Sequence, residues 1–243
     1  MTKLILFDID GTLVTGGPAK EAFEVAMLGI FGKIGNAKNY DFSGKTDPKI
    51  ARDLLREVGF SDSDIEAGFS ALWDRYVREL EARISENPTI LLPGVEQLLL
   101  NLKENKNVAL GLVTGNIFRG AQIKLRSVGL EVYFSVGGYG SDSEDRNILP
   151  SVALNRAHDK WGISFDKESI VVVGDTPRDI FCGQAEGTRT VGVTTGKFRR
   201  KDLEQAGADL VLDDFSQVEA VANILACLLY TSDAADDSLR VDL

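Results

Sequence analysis

Histidine and cysteine are almost missing from this chain of 243 residues: there is one His, at position 158, and two Cys, at 182 and 227. A single imidazole rules out a His-based metal cage, and a catalytic triad could draw on His158 alone. That residue sits in a helical pattern beside Arg156 and Lys160, where a surface role is expected. The cysteines show no CxxC spacing, which argues against a zinc site or a disulfide framework and suits a reducing compartment. A cytoplasmic location is therefore expected. No apolar run reaches the roughly 18 residues that a membrane span needs. The N-terminus lacks a basic segment followed by an apolar one, so no signal peptide is expected. Positive charge is also short: 27 Lys+Arg stand against 37 Asp+Glu, a net charge of −10. Nucleic acid is a poor partner for such a chain. The one basic run, "KFRRK" at 197–201, reads as a solvated helix start.

Hydrophobic residues make up 44% of the chain, enough for one large domain or a core carrying a smaller insert. Short β-branched runs bounded by turn residues predict strands at 3–8, 107–115, 132–138, 169–175, 190–196 and 208–212. Helical spacing lies between them at 94–105, 118–128, 150–161, 177–186 and 201–206. This alternation predicts an α/β fold: a Rossmann-like parallel sheet with helices on both faces. Residues 18–86 break the rhythm, with helical spacing and no convincing strand. They predict an inserted all-helical cap, with Ser61 or Ser63 capping its last helix. Turn-rich hinges near Thr15–Pro18 and Asn87–Pro93 divide the chain into a discontinuous core, 1–16 and 89–226, and a cap, 17–88. Trp73 and Tyr76, in the cap, are expected in core packing. The end of the chain, "CLLYTSDAADDSLRVDL" at 227–243, loses all pattern and resembles a translated sequencing adapter, so it is read as a non-native tail.

The chemistry gathers at strand ends, where open parallel sheets bind ligands. "FDIDGT" puts Asp8 and Asp10 at the end of the first strand. Residues i and i+2 of a strand share a face, so both side chains are expected to converge on one ligand. Unpaired they would repel, and a divalent cation such as Mg²⁺ relieves that repulsion. "GDTPRD" adds Asp175 at a strand tip and Asp179 in the first turn of a helix, both within reach of the same metal or serving as helix caps. "VTGN" supplies Thr114, Gly115 and Asn116, a hydroxyl, an amide and open backbone N–H groups suited to cradling phosphate.

FDIDGTLV, VTGN and GDTPRD together resemble the motifs of the haloacid dehalogenase-like hydrolase superfamily, in its phosphatase branch with a helical cap inserted after the first strand. The resemblance runs from residue 3 to about 225 and is nearest to phosphoglycolate phosphatases. It implies Mg²⁺-dependent hydrolysis of a small soluble phosphomonoester through an aspartyl-phosphate; the charge and the lack of a long apolar run add the expectation of no nucleic-acid or membrane partner. Asp8 would be the nucleophile and Asp10 the acid, then the base. The metal ligands would be Asp8, the backbone carbonyl of Asp10, and Asp175, with Asp179 as ligand or support. Thr114, with Gly115 and Asn116, would bind phosphate. The family's lysine has no counterpart, and Arg146 of "SDSEDRNILP" is the expected stand-in; a solvent-facing pairing with Asp142, Glu144 or Asp145 is the alternative. In the cap, "FSGKTDPKI" offers Lys45 and Thr46 toward substrate, or Thr46 or Asp47 as a helix cap. A β-phosphoglucomutase-like mutase is the alternative function. A dehalogenase is disfavoured by Asp10, and a non-catalytic phosphate-binding module by the retained carboxylates.

Overall fold

The computed structural model describes residues 2–227. The tail assigned to an adapter lies outside the described residues beyond Cys227. Among the described residues eight strands run in chain order: β1 (Lys3–Phe7), β2 (Val14–Gly16), β3 (Thr89–Leu91), β4 (Val108–Thr114), β5 (Gly137–Tyr139), β6 (Ile170–Gly174), β7 (Arg189–Val193) and β8 (Leu210–Leu212). Six of them form one parallel sheet in the order β5-β4-β1-β6-β7-β8. The central strand β1 is wholly apolar after Lys3 because both its faces are covered. Ile5 and Phe7 point into one apolar cluster with helices α4 (Val95–Glu104), α5 (Phe118–Ser127) and α9 (Val218–Cys227). Leu4 and Leu6 point into another with α6 (Leu149–Trp161) and α7 (Pro177–Glu186). Beside the edge strand β8 lies a short helix, α8 (Arg200–Gln205), whose Leu203 packs with Ile180 and Val211.

One predicted strand is corrected. Residues 132–138 were expected as a strand; the chain instead makes a 3₁₀ turn at Glu131–Tyr133 and pairs only over Gly137–Tyr139. Val132 is 67% exposed, so its β-branched side chain serves no buried face. Gly138 is needed for the strand's approach to α6, because a Cβ there would lie 2.0 Å from the carbonyl oxygen of Leu149.

Between β2 and β3 run three helices, α1 (Ala19–Phe31), α2 (Asp47–Glu57) and α3 (Asp62–Arg83). Ser61 caps α3, its hydroxyl accepting from the Asp64 N–H at 3.2 Å. The three helices share their own apolar cluster, with Phe23, Leu54, Leu72 and Tyr76 buried. Trp73 stacks on Phe69 at 5.1 Å. Ile117 and Ile123 of the α5 region join this cluster, so the helical unit rests on the core beside the sheet's carboxyl edge. β2 and β3 pair antiparallel, Val14 with Leu91 and Gly16 with Thr89, and this ribbon carries both chain crossings. His158 is exposed on α6.

After the ribbon the chain turns at Gly94, whose φ is +77° and where a Cβ would fall 2.0 Å from the Phe215 carbonyl oxygen. Gly94→Ala therefore combines a left-handed backbone penalty with a clash against main chain. A cost of about 2–3 kcal/mol should lower Tm by roughly 4–12 °C, read by calorimetry. An unchanged Tm would show that the 92–95 turn relaxes freely.

Candidate active site

The carboxyl edge of the sheet opens into a cavity of about 510 Å³ between core and helical unit. Asp8 continues the β1 ladder, its N–H donating to the Val173 carbonyl at 2.9 Å. Asp10 lies beyond the strand in a tight turn, with the Leu13 and Val14 N–H groups donating to the Ile9 carbonyl at 2.9 and 3.0 Å. The strand alternation expected to bring both carboxylates together therefore stops at Asp8. Both line the cavity, yet they take different partners.

Asp8 belongs to a buried group with Asp175 and Asp179, their carboxylate oxygens all within 4.8 Å of one another. Arg146 enters this group, 7% exposed, with a guanidinium nitrogen 3.1 Å from Asp8 Oδ1 and in contact with Asp179 Oδ1. It does not pair with its sequence neighbours. Asp142 pairs with Arg156, Glu144 with Arg52, and Asp145 caps the following turn. Asp179 is otherwise engaged: its Oδ2 accepts from the Thr176 N–H at 2.9 Å and the Thr176 hydroxyl at 2.7 Å, closing a capping box at the start of α7. Burial raises the Asp8 carboxyl above the usual carboxylate range, and the Arg146 charge offsets that only in part. Asp175 is raised further, by burial and then by the charges of Asp179 and Asp8. Three buried carboxylates for one guanidinium is an unbalanced set of hard oxygen donors, which fits a divalent cation. Glycine is required around it: a Cβ at Gly11 would lie 2.4 Å, and at Gly196 1.7 Å, from Asp175 Oδ2.

Asp10 has a second cation, which sequence reading missed. Lys124 Nζ of α5 donates to Asp10 Oδ1 at 2.8 Å, to Asp10 Oδ2 at 2.7 Å and to Asn116 Oδ1 at 2.7 Å. The Asn116 amide donates to Asp10 Oδ2 at 2.7 Å and to the Thr114 hydroxyl at 2.8 Å. Burial pushes the Asp10 carboxyl up, but Lys124 and Asn116 outweigh it and hold it below the usual range. The signal for Lys124 was its position: it stands among Ala121, Ile123 and Leu125, all buried. A lysine inside an apolar stripe needs a partner. Thr114 is fully buried at the tip of β4. Gly115 passes so close to the cap that a Cβ would meet the Lys45 carbonyl oxygen at 2.1 Å.

From the helical unit, Lys45 lines the cavity, its ammonium 3.8 Å over the Tyr40 ring and 3.9 Å from Asp53. Thr46 turns away: its hydroxyl donates to the Glu144 carbonyl at 2.8 Å and caps α2 by accepting from Lys49 N–H at 3.3 Å. Asp47 fastens the same loop to the core. Its N–H donates to the Gly115 carbonyl and its carboxylate accepts from the Ile117 N–H, each at 2.8 Å. Burial pushes the Asp47 carboxyl up to about 6, with Lys124 pulling the other way. Lys197, read from sequence as part of a solvated helix start, lines the cavity and pairs with Asp41 at 2.5 Å. No helix among the described residues is long and apolar enough to cross a membrane.

Residues 5–193 match the family model for haloacid dehalogenase-like hydrolases. Curated relatives include the phosphoglycolate phosphatase of Vibrio cholerae, 27% identical over 230 residues, covering 92% of this chain and 98% of the relative. That of Salmonella typhimurium is 28% identical over 234 residues, covering 88% and 90%. Among solved structures, a hydrolase from Pseudomonas syringae superposes with a TM-score of 0.64 at 22% identity, covering 92% of this chain and 99% of that one. CbbY from Rhodobacter sphaeroides in complex with phosphate gives 0.65 at 21%, covering 90% and 96%.

The raised Asp8 and Asp175 carboxyls set a sign for metal binding. In the metal-free protein the folded state holds these protons to higher pH than the unfolded chain, so this cluster's contribution to stability falls as pH rises from the ordinary carboxylate range through the raised values. A divalent cation needs both groups deprotonated, so its affinity should rise over the same window. The Tm increase on adding Mg²⁺ to chelator-treated protein should therefore grow from about pH 6 to about pH 8. A pH-independent increase would place the ion elsewhere.

Proposed function

The chain belongs to the haloacid dehalogenase-like hydrolase family, and from that premise we propose that it hydrolyses a small phosphomonoester by way of a phosphorylated Asp8. The observation that carries this reading is the setting of Asp8: a buried carboxylate, 3.1 Å from a fixed guanidinium and beside two more carboxylates. The phosphatase relatives support the reaction class. An Asp8 oxygen attacks phosphorus and the ester P–O bond breaks; Asp10, ionised at rest, passes to the leaving oxygen the proton that the phosphate monoanion brings. Asp10 then takes a proton from water as that water attacks the aspartyl-phosphate, which frees phosphate and restores Asp8.

The Asp8 and Asp175 carboxylates, with the backbone carbonyl of Asp10, would hold Mg²⁺. When bound it screens the phosphate's charge against the approaching carboxylate. Asp179, tied to Thr176 and Arg146, supports that group and fixes the guanidinium. Arg146 takes the place of the family's lysine and faces the charge that builds up at the phosphoryl oxygens. Thr114 and the N–H groups of Gly115 and Asn116 would complete the phosphate cradle. The Asn116 side chain serves Asp10 instead.

The cavity of about 510 Å³ favours a small substrate. Lys20, Lys45 and Lys197 line it, and they favour an ester bearing a second anionic group, such as the carboxylate of phosphoglycolate. Turnover of a panel of small phosphate esters with Mg²⁺ tests this. Release of phosphate to water supports a phosphatase, whereas transfer to a second sugar hydroxyl would indicate a mutase.

Asp8→Asn should abolish turnover and leave the fold intact, since the amide fills the same space but is a poor nucleophile; a variant retaining a tenth of the activity would remove Asp8 from its role. Arg146→Ala should lower kcat/KM by roughly 10²-fold or more, the usual loss for a charge-stabilising donor. Arg146→Lys should recover part of that loss. Steady-state kinetics checks both, and an Arg146→Ala enzyme near wild type would mean that Arg146 serves only to neutralise Asp179.

A further inference from the structure

We infer that Lys124 is a positioning residue for this reaction, acting through Asp10 by leaving that carboxylate one open acceptor site; the inference rests on the acid–base reading of Asp10. Lys124 is 5% exposed, and a lysine is seldom buried without a purpose for its charge. An ammonium has three N–H donors: one points between the two Asp10 oxygens and is shared by Oδ1 and Oδ2, and a second goes to Asn116 Oδ1. Its short contacts are with Asp10 and Asn116, whereas Arg146 faces Asp8 and Asp179, which separates the two cations.

The count on the acceptor side is equally specific. Asp10 Oδ2 receives two donors, from Lys124 and from the Asn116 amide, so both its lone pairs are used. Asp10 Oδ1 receives one, from Lys124, and keeps one lone pair free. The proton that Asp10 exchanges with the leaving oxygen and then with water is thus carried on Oδ1. The frame that holds this orientation is rigid: Asn116 is tied to Thr114 at the tip of β4, and Lys124 is set in α5. Asp10's own side chain is 46% exposed, so without Lys124 only the Asn116 amide would hold it, at one oxygen.

The test is a double-mutant cycle in the full chain. Lys124→Met, Asp10→Asn and the double variant are assayed with Mg²⁺ on p-nitrophenyl phosphate and on phosphoglycolate, with acid quench to trap phosphoenzyme and Tm to monitor folding. Lys124→Met should lower kcat by about 10–100-fold, the range for a misplaced catalytic group, while KM stays within about threefold. Phosphoenzyme should accumulate on p-nitrophenyl phosphate, whose leaving group needs no acid while its second step still needs the base. In the Asp10→Asn background, Lys124→Met should cost less than about twofold further. Lys124→Gln, which keeps a donor of shorter reach, should lie between and stands in if Lys124→Met does not fold. A Lys124 loss that persists in full beside Asp10→Asn would mean a structural role and overturn the inference. So would a near-wild-type Lys124→Met while Asp10→Asn is crippled, and that result would leave the reading of Asp10 intact. Asp10→Asn itself near wild type would overturn that reading and the inference with it.

Discussion

The Arg146 guanidinium lies between Asp8 and Asp179 in a nearly dry setting, and the order of the site follows from that contact. A buried cation must be paired, and a buried carboxylate beside two others must find positive charge. Each requirement meets the other here. Asp179 is held at its second oxygen by the Thr176 capping box, so α7 orients the guanidinium. Gly44 accepts a further bond from Arg146 at 3.3 Å, so the loop before α2 is drawn to the same point. One arginine thereby links three segments that are far apart in sequence.

The site divides into two charge systems. On one side, Asp8, Asp175 and Asp179 share Arg146, and negative charge exceeds positive. On the other, Asp10 is matched by Lys124 with Asn116 as the bridge. The first is suited to attracting a cation and a phosphoryl group, the second to holding one carboxylate in a fixed orientation. Placing the two carboxylates in separate systems gives neighbouring aspartates different electrostatic settings, as the proposed division of their roles requires.

Much of this was legible in the sequence, for a physical reason. Asp8 and Asp175 end apolar runs, and a strand buried on both faces has no other place for a charge. The strands at 108–114 and 170–174 were legible for the same reason. Arg146 was found through a family pattern and by the absence of another cation in its loop. Lys124 was not, because a lysine in a helix reads as solvated unless the apolar stripe around it is weighed. Thr46 was open between substrate and cap, and its hydroxyl is spent on Lys49 and Glu144. The run 132–138 misled because apolar composition cannot distinguish a strand from a packed turn, and Val132 lies in solvent.

The β2–β3 ribbon has a consequence for how the chain comes together. The central pairing of β1 with β4 joins residues about 105 apart, such as Lys3 with Val108, a costly loop to close. Gly16 and Thr89 are already neighbours once the ribbon forms. The intervening helices then hang outside the loop, and β1 and β4 are separated by a short tether instead. Loop-closure entropy is thus met in two smaller steps, the first of them assisted by the packing of α1 against α3 within the helical unit. An insertion that interrupts the sheet in sequence is in this way kept from delaying it in space.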